Sequence, residues 1–522
     1  MKFVSTEQMR ELDRKTIEKF GVSGETLMER AGIGVADAVL RLAGISRIMD
    51  PFIRLLAGKG NNGGDAFMAA RYLVEQGLNV EVWIAGQADA ISGDALTHFN
   101  MMKSAGVSLC ELPEEKDWNS DSVLDYRAAD ILVDGILGTG ISGAARGPAK
   151  GAINYINAHS ENGLVVSIDV PSGMNSDTGK AEGEAVRADI TVTMGLPKLG
   201  LSEIEALDYV GSVEVVDIGI PDELVGNIQC NRELITAQDL SGTIKRRAGN
   251  SHKGNFGHVL LVGGASGYAG AIALAARAAM RSGAGLVTVL APGSVAPVVA
   301  GIAPEAMVHW ACETEAGSLS SDCLSKWDRD INDFDAVLIG PGITTHDQSR
   351  LLVEHVLEKC RKPLVLDADA LNVLAGNAEK STAADCPVVI TPHPGEMARL
   401  LGCSSGDVQA DRCGTALKAV NDFNAVTVLK GARTVVVEKG QVPHINSTGN
   451  PGMASGGTGD VLSGLITGLI AQGLKPFDAA RIAVYLHGRA GDNIARNSSQ
   501  AGMIAGDIIE ELPNVLREIT AR

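Results

Sequence analysis

The chain has 522 residues, 62 of them glycine, and a formal net charge of −18. That length exceeds what one hydrophobic core organises and predicts two to four domains, with the glycine content of an α/β protein rich in tight strand-to-helix turns. The acidic balance argues against nucleic acid or an anionic membrane as the main partner, the start Met1-Lys2-Phe3-Val4-Ser5-Thr6-Glu7-Gln8 lacks the apolar stretch of a signal peptide, and no apolar run is long enough to span a bilayer.

Ser5 and Gln8 have capping-box spacing, and Met9, Leu12 and Ile17 fall near one face of the helix that follows. A second helix is expected around Glu25 to Leu42. Phe52 to Ala57 reads as a strand, Asp65 to Gln76 as a helix and Val80 to Ala85 as a strand, with further short apolar runs at Ile131 to Val133, Leu164 to Ile168, Ile190 to Thr193 and Val213 to Val216. β-Branched runs separated by helices predict a parallel sheet covered on both faces. From Gly219 to Arg232 turn residues dominate and periodicity lapses, which places a domain boundary there and gives domains 1–225 and 226–522. Alternation restarts with strands at Val259 to Val262, Leu286 to Leu290, Ala336 to Ile339, Leu364 to Leu366 and Val388 to Ile390, and an Ala-rich helix at Gly270 to Ser282. Val426 to Leu429 and Thr434 to Glu438 read as neighbouring strands joined by a turn, and three helices close the chain at Asp460 to Gln472, Asp478 to Asn493 and Ile504 to Ile519. The eight cysteines form no C-x-x-C and no zinc-like spacing, so reduced thiols in a cytoplasmic protein are expected.

The first chemistry-bearing stretch is Gly58-Lys59-Gly60-Asn61-Asn62-Gly63-Gly64-Asp65, between a strand and a helix. Loosely it is a dinucleotide fingerprint, with Glu81 at the distance of a ribose-binding acid; as a bland alternative it is a glycine-rich turn. Asp134-Gly135-Ile136-Leu137-Gly138-Thr139-Gly140 and Asp169-Val170-Pro171-Ser172-Gly173 follow two later strands. In a parallel sheet all three loops share one end, so Asn62, Asp134, Asp169 and Ser172 should converge, offering the oxygen ligands of a hard cation; singly, each aspartate could be a cap.

These three motifs, in this order, resemble the epimerase domain of the NAD(P)H-hydrate repair family, which interconverts the C6 epimers of hydrated NADH and NADPH on a Rossmann-like fold. Ala66 and Val170 replace residues common in that family without removing a chemical group. The resemblance implies substrate contacts from Asn61, Asn62, Gly63, Gly64 and Asp65, from Gly138, Thr139, Gly140, Ile141, Ser142, Gly143 and Ala144, and from Asp169. It further implies a potassium ion on Asn62, Asp134 and Ser172, and an acid–base role for Asp169.

The second stretch is Asn446 to Gly464, where Gly456, Gly457 and Gly459 precede Asp460 at the mouth of an apolar helix. Glycines that free the backbone N–H groups, and a helix N-terminus, favour a phosphate beside that carboxylate. No Walker-type motif occurs. Its companions at strand ends are Gly340-Pro341-Gly342, Asp367-Ala368-Asp369, Thr391-Pro392-His393-Pro394-Gly395-Glu396 and Lys430-Gly431-Ala432-Arg433-Thr434. Bland readings stand beside each: His393 as a turn former, Asp367 and Asp369 as helix caps, Lys430 and Lys198 as solvated lysines.

The combination resembles the ribokinase-like kinases, and Thr391 to Glu396 with Gly263 to Ala271 resembles the dehydratase partner of the epimerase. That implies two three-layer α/β/α domains, with hydrate on Ala271, Gly342, His393 and Asp460, and adenine nucleotide on Lys430, Gly431, Ala432, Arg433, Thr434 and Gly459. It also implies Mg2+ with ADP or ATP, Asp460 as the base, and hydrated NADH or NADPH as substrate; a homo-oligomer is expected because α/β enzymes of this size often assemble. The alternatives are a small-molecule kinase fused to an accessory domain, an NAD-dependent dehydrogenase using Gly58 to Gly63, and a binding protein with one inactive domain.

Overall fold

Strands β1 (Phe52–Ala57), β2 (Asn79–Ile84), β3 (Ser108–Glu111), β4 (Ile131–Gly135), β5 (Leu164–Ile168), β6 (Ile190–Met194) and β7 (Ser212–Val216) pair parallel throughout, in the order β3-β2-β1-β4-β5-β6-β7. The chain leaves β1 toward one edge and returns at β4 toward the other, so a crevice opens beyond the C-terminal ends of this central pair. Strand alternation feeds two cores. Ile53, Leu55 and Ala57 pack under helices Thr6–Phe20, Gly24–Ile45, Asn61–Glu75 and Gly93–Ser104, while Phe52 and Leu56 face helix Pro148–His159.

In the second core, fully buried Arg54 ion-pairs with Glu81 on β2, stacks 3.9 Å over Trp83 and donates to Tyr155 Oη at 2.6 Å. Glu81 therefore sits mid-sheet as a core counter-ion, which removes it as the ribose ligand that a dehydrogenase reading requires.

The helix after β1 begins at Asn61 rather than Asp65. Gly60 is its extended N-cap, and a Cβ on Gly63 would run into the Gly58 carbonyl oxygen, so only glycine there lets the helix start this close to the strand. The sequence N-N-G-G-D is thus a first helical turn, with N–H groups directed at the crevice. β4 likewise runs past Val133 and carries Asp134 inside the sheet.

The described residues of this computed structural model are 1–120, 123, 127–140, 143–377 and 381–520. They divide into two compact units, Met1–Asn231 and Arg232–Arg522, parting a few residues beyond the 225/226 boundary expected.

The second unit holds β8 (Glu233–Ile235), β9 (His258–Val262), β10 (Leu286–Pro292), β11 (Met307–Ala311), β12 (Ala336–Ile339), β13 (Leu364–Leu366), β14 (Val388–Ile390), β15 (Val426–Leu429), β16 (Val435–Val437) and β17 (His444–Asn446). Their order is β11-β10-β9-β12-β13-β14-β15-β16-β17-β8, parallel except that β16 runs against both neighbours as the expected turn-linked partner of β15. Val259 and Leu261 face helices Ala269–Arg281, Thr458–Ala471, Pro476–Asn497 and Ala505–Ile519; Leu260 and Val262 face Asp347–Lys359, Pro394–Leu401 and Arg412–Phe423. The result is a second three-layer α/β/α unit. Among the described residues no helix is long and apolar enough to cross a membrane.

Candidate active sites

In the first unit a cleft of about 1120 Å3 lies at the expected sheet end, lined by the Gly58–Asn62 turn, Asp65, Leu137 to Gly140, Asp169 and Lys198, with Asp13 from the first helix. Asp134 is 0% exposed and accepts hydrogen bonds from Ser167 Oγ and the Ser172 amide, each at 2.8 Å, from the Ser172 hydroxyl and from the Ile136 amide. Ser172 Oγ accepts from the Leu137 amide at 2.8 Å and lies 3.0 Å from the Leu137 carbonyl oxygen, onto which Asn62 Nδ2 donates at 3.1 Å. Asn62, Asp134 and Ser172 therefore meet around Leu137.

The donors gathered there are a carboxylate, an amide, a hydroxyl and a backbone carbonyl, the set a hard cation prefers. Burial pushes the Asp134 carboxyl up, and only hydroxyls and amides hold it. A buried carboxylate so placed gains from a cation beside it, so the residues suit a hard cation.

Asp169 follows β5 with φ +65°, a conformation that a non-glycine residue keeps only where its surroundings fix it. The fixing groups converge on Oδ1: the Lys198 ammonium, Thr193 Oγ1 at 3.1 Å and the Met194 amide at 3.3 Å. Lys198 is 1% exposed and also donates to the Met194 carbonyl at 2.9 Å, so the solvated reading of this lysine is overturned. Two further carboxyls feel this pair. Burial, reinforced by Asp169, pushes Asp65 well above the usual carboxylate range, and burial lifts Asp13 to about 6 against the pull of Lys198.

Asn61, Asn62, Asp65, Gly138, Thr139, Gly140 and Asp169 line this cleft, and Gly63 and Gly64 are buried in the helical turn behind it. Gly143 and Ala144 pack beside Glu182 and Gly183 rather than on the cleft, and Ile141 and Ser142 lie outside the described residues. Asp13, Lys198, and the cleft-lining cations Arg10, Lys59 and Arg146 were not singled out as site residues from the sequence.

In the second unit the strand-end loops converge on Lys430. Its ammonium donates to Asp367 at 2.9 Å and lies 3.7 Å from Glu396, while a Cβ built on Gly459 would sit 3.3 Å from Nζ. Lys430 thus comes close to Gly459; of the three loop glycines only Gly457, at φ +91°, uses the left-handed region. Asp367 is 1% exposed and also accepts from Thr391 Oγ1 at 2.7 Å, and Asp369 accepts from the Thr344 amide at 3.0 Å, so these aspartates tie strand ends together instead of capping the helix after them. Lys430 is correspondingly no solvated lysine: burial opposes its charge, but Asp367, Glu396 and Asp460 outweigh that and raise its pKa.

Asp460 occupies the first turn of helix Thr458–Ala471. Burial and then Asp367 push its carboxyl up to about 7, against the pull of Lys430. His393 caps helix Pro394–Leu401 by accepting the Gly395 amide on Nδ1 at 3.0 Å, which leaves the neutral ring's proton on Nε2, 3.5 Å from Glu396. Burial and Lys430 hold its pKa down, while burial raises that of Glu396. Gly342 packs on Tyr268, which precedes the helix carrying Ala271. Thr434 Oγ1 donates to the Gly431 carbonyl at 2.8 Å, and Ala432 is exposed in the same loop, but Arg433 turns away and donates to the Ser447 carbonyl at 3.3 Å.

Residues 24–200 match the family described as YjeF-related protein N-terminus, and residues 259–514 the family described as NAD(P)H-hydrate dehydratase. The bifunctional NAD(P)H-hydrate repair enzyme of Moorella thermoacetica is 44% identical over 99% of this chain and 97% of its own length. The chain belongs to the family of bifunctional NAD(P)H-hydrate repair enzymes. Its Escherichia coli member is 35% identical over 98% of this chain and 94% of its own length. Among solved structures, the ADP/ATP-dependent NAD(P)H-hydrate dehydratase of Bacillus subtilis, co-crystallised with ATP and Mg2+, is 31% identical with a TM-score of 0.50, over 56% of this chain and 100% of its own. These relationships set the dehydratase in the second unit and the epimerase in the first, and exclude the dehydrogenase reading.

Proposed function

We infer that the chain repairs hydrated NADH and NADPH in two steps on one carbon, C6 of the nicotinamide ring, with Asp460 as the base for dehydration and Asp169 as the acid–base group for epimerisation. The observation that carries the first assignment is the arrangement at the mouth of helix Thr458–Ala471, where Lys430 stands against Gly459 beside a carboxyl poised to about 7. Hydroxide is a poor leaving group. Asp460 takes the C6 hydroxyl proton, the freed oxygen attacks the terminal phosphorus of the nucleotide, and that phosphorus–oxygen bond breaks. Phosphate then departs from C6 while the C5 proton is lost, restoring the double bond. Lys430 and the backbone N–H groups of the helix mouth hold the phosphates and the charge that builds on them. Ala271, Gly342 and His393 hold the hydrate, and Lys430, Gly431, Ala432, Thr434 and Gly459 the adenine nucleotide; Arg433 supports that loop from behind.

Among the described residues no group of three histidine, cysteine or carboxylate side chains is placed to hold a metal ion. Mg2+ accordingly fits as a companion of the nucleotide, where it neutralises phosphate charge.

In the first unit, Asn61, Asn62 and Gly63 to Asp65 hold the hydrate together with the Gly138 loop, and Arg10, Lys59 and Arg146 supply positive charge for its phosphates in an acidic chain. Asn62, Asp134 and Ser172 would hold potassium, which adds a fixed positive charge beside the substrate. Asp169 exchanges protons with the C6 hydroxyl through the oxygen that Lys198, Thr193 and Met194 leave open.

The test is the return of reduced-nicotinamide absorbance from a mixed-epimer hydrate with Mg2+ and ADP or ATP. Wild type converts both epimers, Asp169→Ala stops after the directly used epimer, and Asp460→Asn regenerates nothing while still interconverting epimers. Loss of both activities from either change would refute the two-site division.

A further inference from the structure

One carboxyl in the epimerase cleft has no task in this scheme. Asp13 lies on helix Thr6–Phe20, ahead of the segment matched by the N-terminal family, and lines the same cleft as Asp65, Asp169 and Lys198. Its Oδ1 is closed off from solvent and has no hydrogen-bond partner, unusual for a group so costly to leave unpaired. A surface-facing polar residue of an amphipathic helix would be hydrated; this one is turned inward on the cleft side.

We propose that Asp13 is a second proton-carrying residue of the epimerisation cleft, working with Asp169 on the C6 hydroxyl. The proposal rests on the reading of this cleft as the epimerase site. Epimerisation at a carbon bearing both a hydroxyl and the ring nitrogen proceeds with balanced atoms as follows. A carboxylic acid gives its proton to the hydroxyl, the carbon–oxygen bond breaks with release of water, and the N1 lone pair forms a C6–N1 double bond. Water then adds to the opposite ring face, the double-bond electrons return to nitrogen, and a carboxylate removes the surplus proton. Departure and return occur on different faces, so one carboxyl held rigidly by Lys198, Thr193 and Met194 serves one face and a second group is needed for the other.

The charged groups around Asp13 suit a group that changes protonation near neutrality. Asp169 disfavours its ionised form, Lys198 favours it, Asp13 in turn helps to raise Asp65, and Arg10 is one turn away on the same helix and lines the cleft. Burial lifts its carboxyl to about 6, inside the range where it can both give and take a proton.

The experiment measures epimerisation by the full-length chain across pH 5 to 9, with its own dehydratase activity as the internal control for folding. Asp13→Asn should slow epimerisation about a hundredfold in kcat with little change in KM, and should remove the limb of the pH profile near 6. Asp13→Glu, which keeps a carboxyl, should retain a limb. A smaller than tenfold loss in Asp13→Asn, or a wild-type limb surviving in it, overturns the proposal. If Asp13→Asn does not yield a folded first unit, Asp13→Glu decides alone: a displaced limb supports the proposal and an unmoved one overturns it. Asp169→Ala, run alongside, separates the two failures. Activity surviving in that variant sinks the reading of the cleft itself, whereas its loss with Asp13→Asn unaffected sinks only the role of Asp13.

Discussion

Asp460→Asn should make the second unit inactive and more stable at once. Burial, then Asp367, Glu396 and Asp369 against the opposing Lys430, move this carboxyl from 3.8 to about 7. A folded-state pKa above the unfolded one contributes stability that is fully present below the unfolded value and is lost as pH rises through the folded value. Ionised Asp460 therefore works against folding at pH 8. The shift corresponds to at most about 4 kcal/mol, and water reaching the carboxyl reduces the expected gain on removing it to about 2 kcal/mol. Urea unfolding of the full chain should show the Arg232–Arg522 transition moved upward at pH 8, with a gain that shrinks as pH falls to 5. The same change removes the base, which should cost about 10²- to 10⁴-fold in kcat for dehydration, or roughly 3 to 5 kcal/mol of barrier. In wild type, only the deprotonated carboxyl is competent, so kcat/KM for the hydrate should climb with pH and level off above about 7, with about a tenth of the plateau at pH 6. Absorbance assays under nucleotide saturation measure both. A variant that keeps more than a tenth of kcat, or a flat wild-type profile from pH 6 to 8, would remove Asp460 from the role of base. A stability gain equal at pH 5 and pH 8 would show that burial is not what lifts the carboxyl.

Lys430→Met strands Asp367, 1% exposed, without its cation, and should cost the second unit about 3 to 5 kcal/mol in urea unfolding. Asp134→Ala removes the acceptor for Ser167 and Ser172, and exchange of potassium for choline in the epimerase assay should then slow wild type but leave the variant's residual rate unchanged. Gly63→Ala drives a Cβ into the Gly58 backbone carbonyl and should cost the first unit about 1 to 3 kcal/mol in a thermal melt; Gly60→Ala, with open space around it, should cost only the poorer N-cap, about 1 kcal/mol or less.

The sheet centres were legible because their strands are buried on both faces and read as uninterrupted apolar runs: Phe52 to Ala57 in one unit, Val259 to Val262 in the other. The edge strand β7 was read as well, at Val213 to Val216, but the edge strands β3 and β11 were not. Ser-Leu-Cys-Glu in β3 and Met-Val-His-Trp-Ala in β11 each end a sheet, mix polar with apolar residues and carry no strong β signal. The motif loops were legible because a glycine-rich turn and an aspartate at a strand end announce themselves locally. What the sequence hid were partners brought from afar. Lys198 meets Asp169 from 29 residues away and Lys430 meets Asp367 from 63, and a lysine without its carboxylate in view reads as solvated. Asp13 was hidden for a related reason: four residues after Met9 it shares that residue's inward face, but Lys198 and Asp169, whose charges it feels, are far away in the chain. The Gly-Leu-Pro-Lys-Leu-Gly stretch, with a lysine between turn formers just past a strand, was the one local sign available for Lys198.

The two units apply a buried lysine to a carboxyl in opposite ways, and the difference predicts what Asp367 is for. In the first unit Lys198 bonds Asp169, the carboxyl proposed for acid–base work, directly. In the second, Lys430 is held by Asp367, so Asp460 gets only part of the lysine's attraction and bears the repulsion of Asp367 as the second cause of its rise. A base that must take a proton from an alcohol is best with a pKa near the working pH, and this arrangement supplies it. Asp367→Asn removes that repulsion and releases Lys430 toward Asp460. The acidic limb of the dehydration profile should then move below its wild-type position near 7, and the plateau kcat should fall, because the carboxylate is more often ionised but takes the proton less readily. Purely structural damage lowers kcat with the limb in place. A limb unmoved in Asp367→Asn would mean that Asp367 positions Lys430 for the phosphates and has no hand in poising the base.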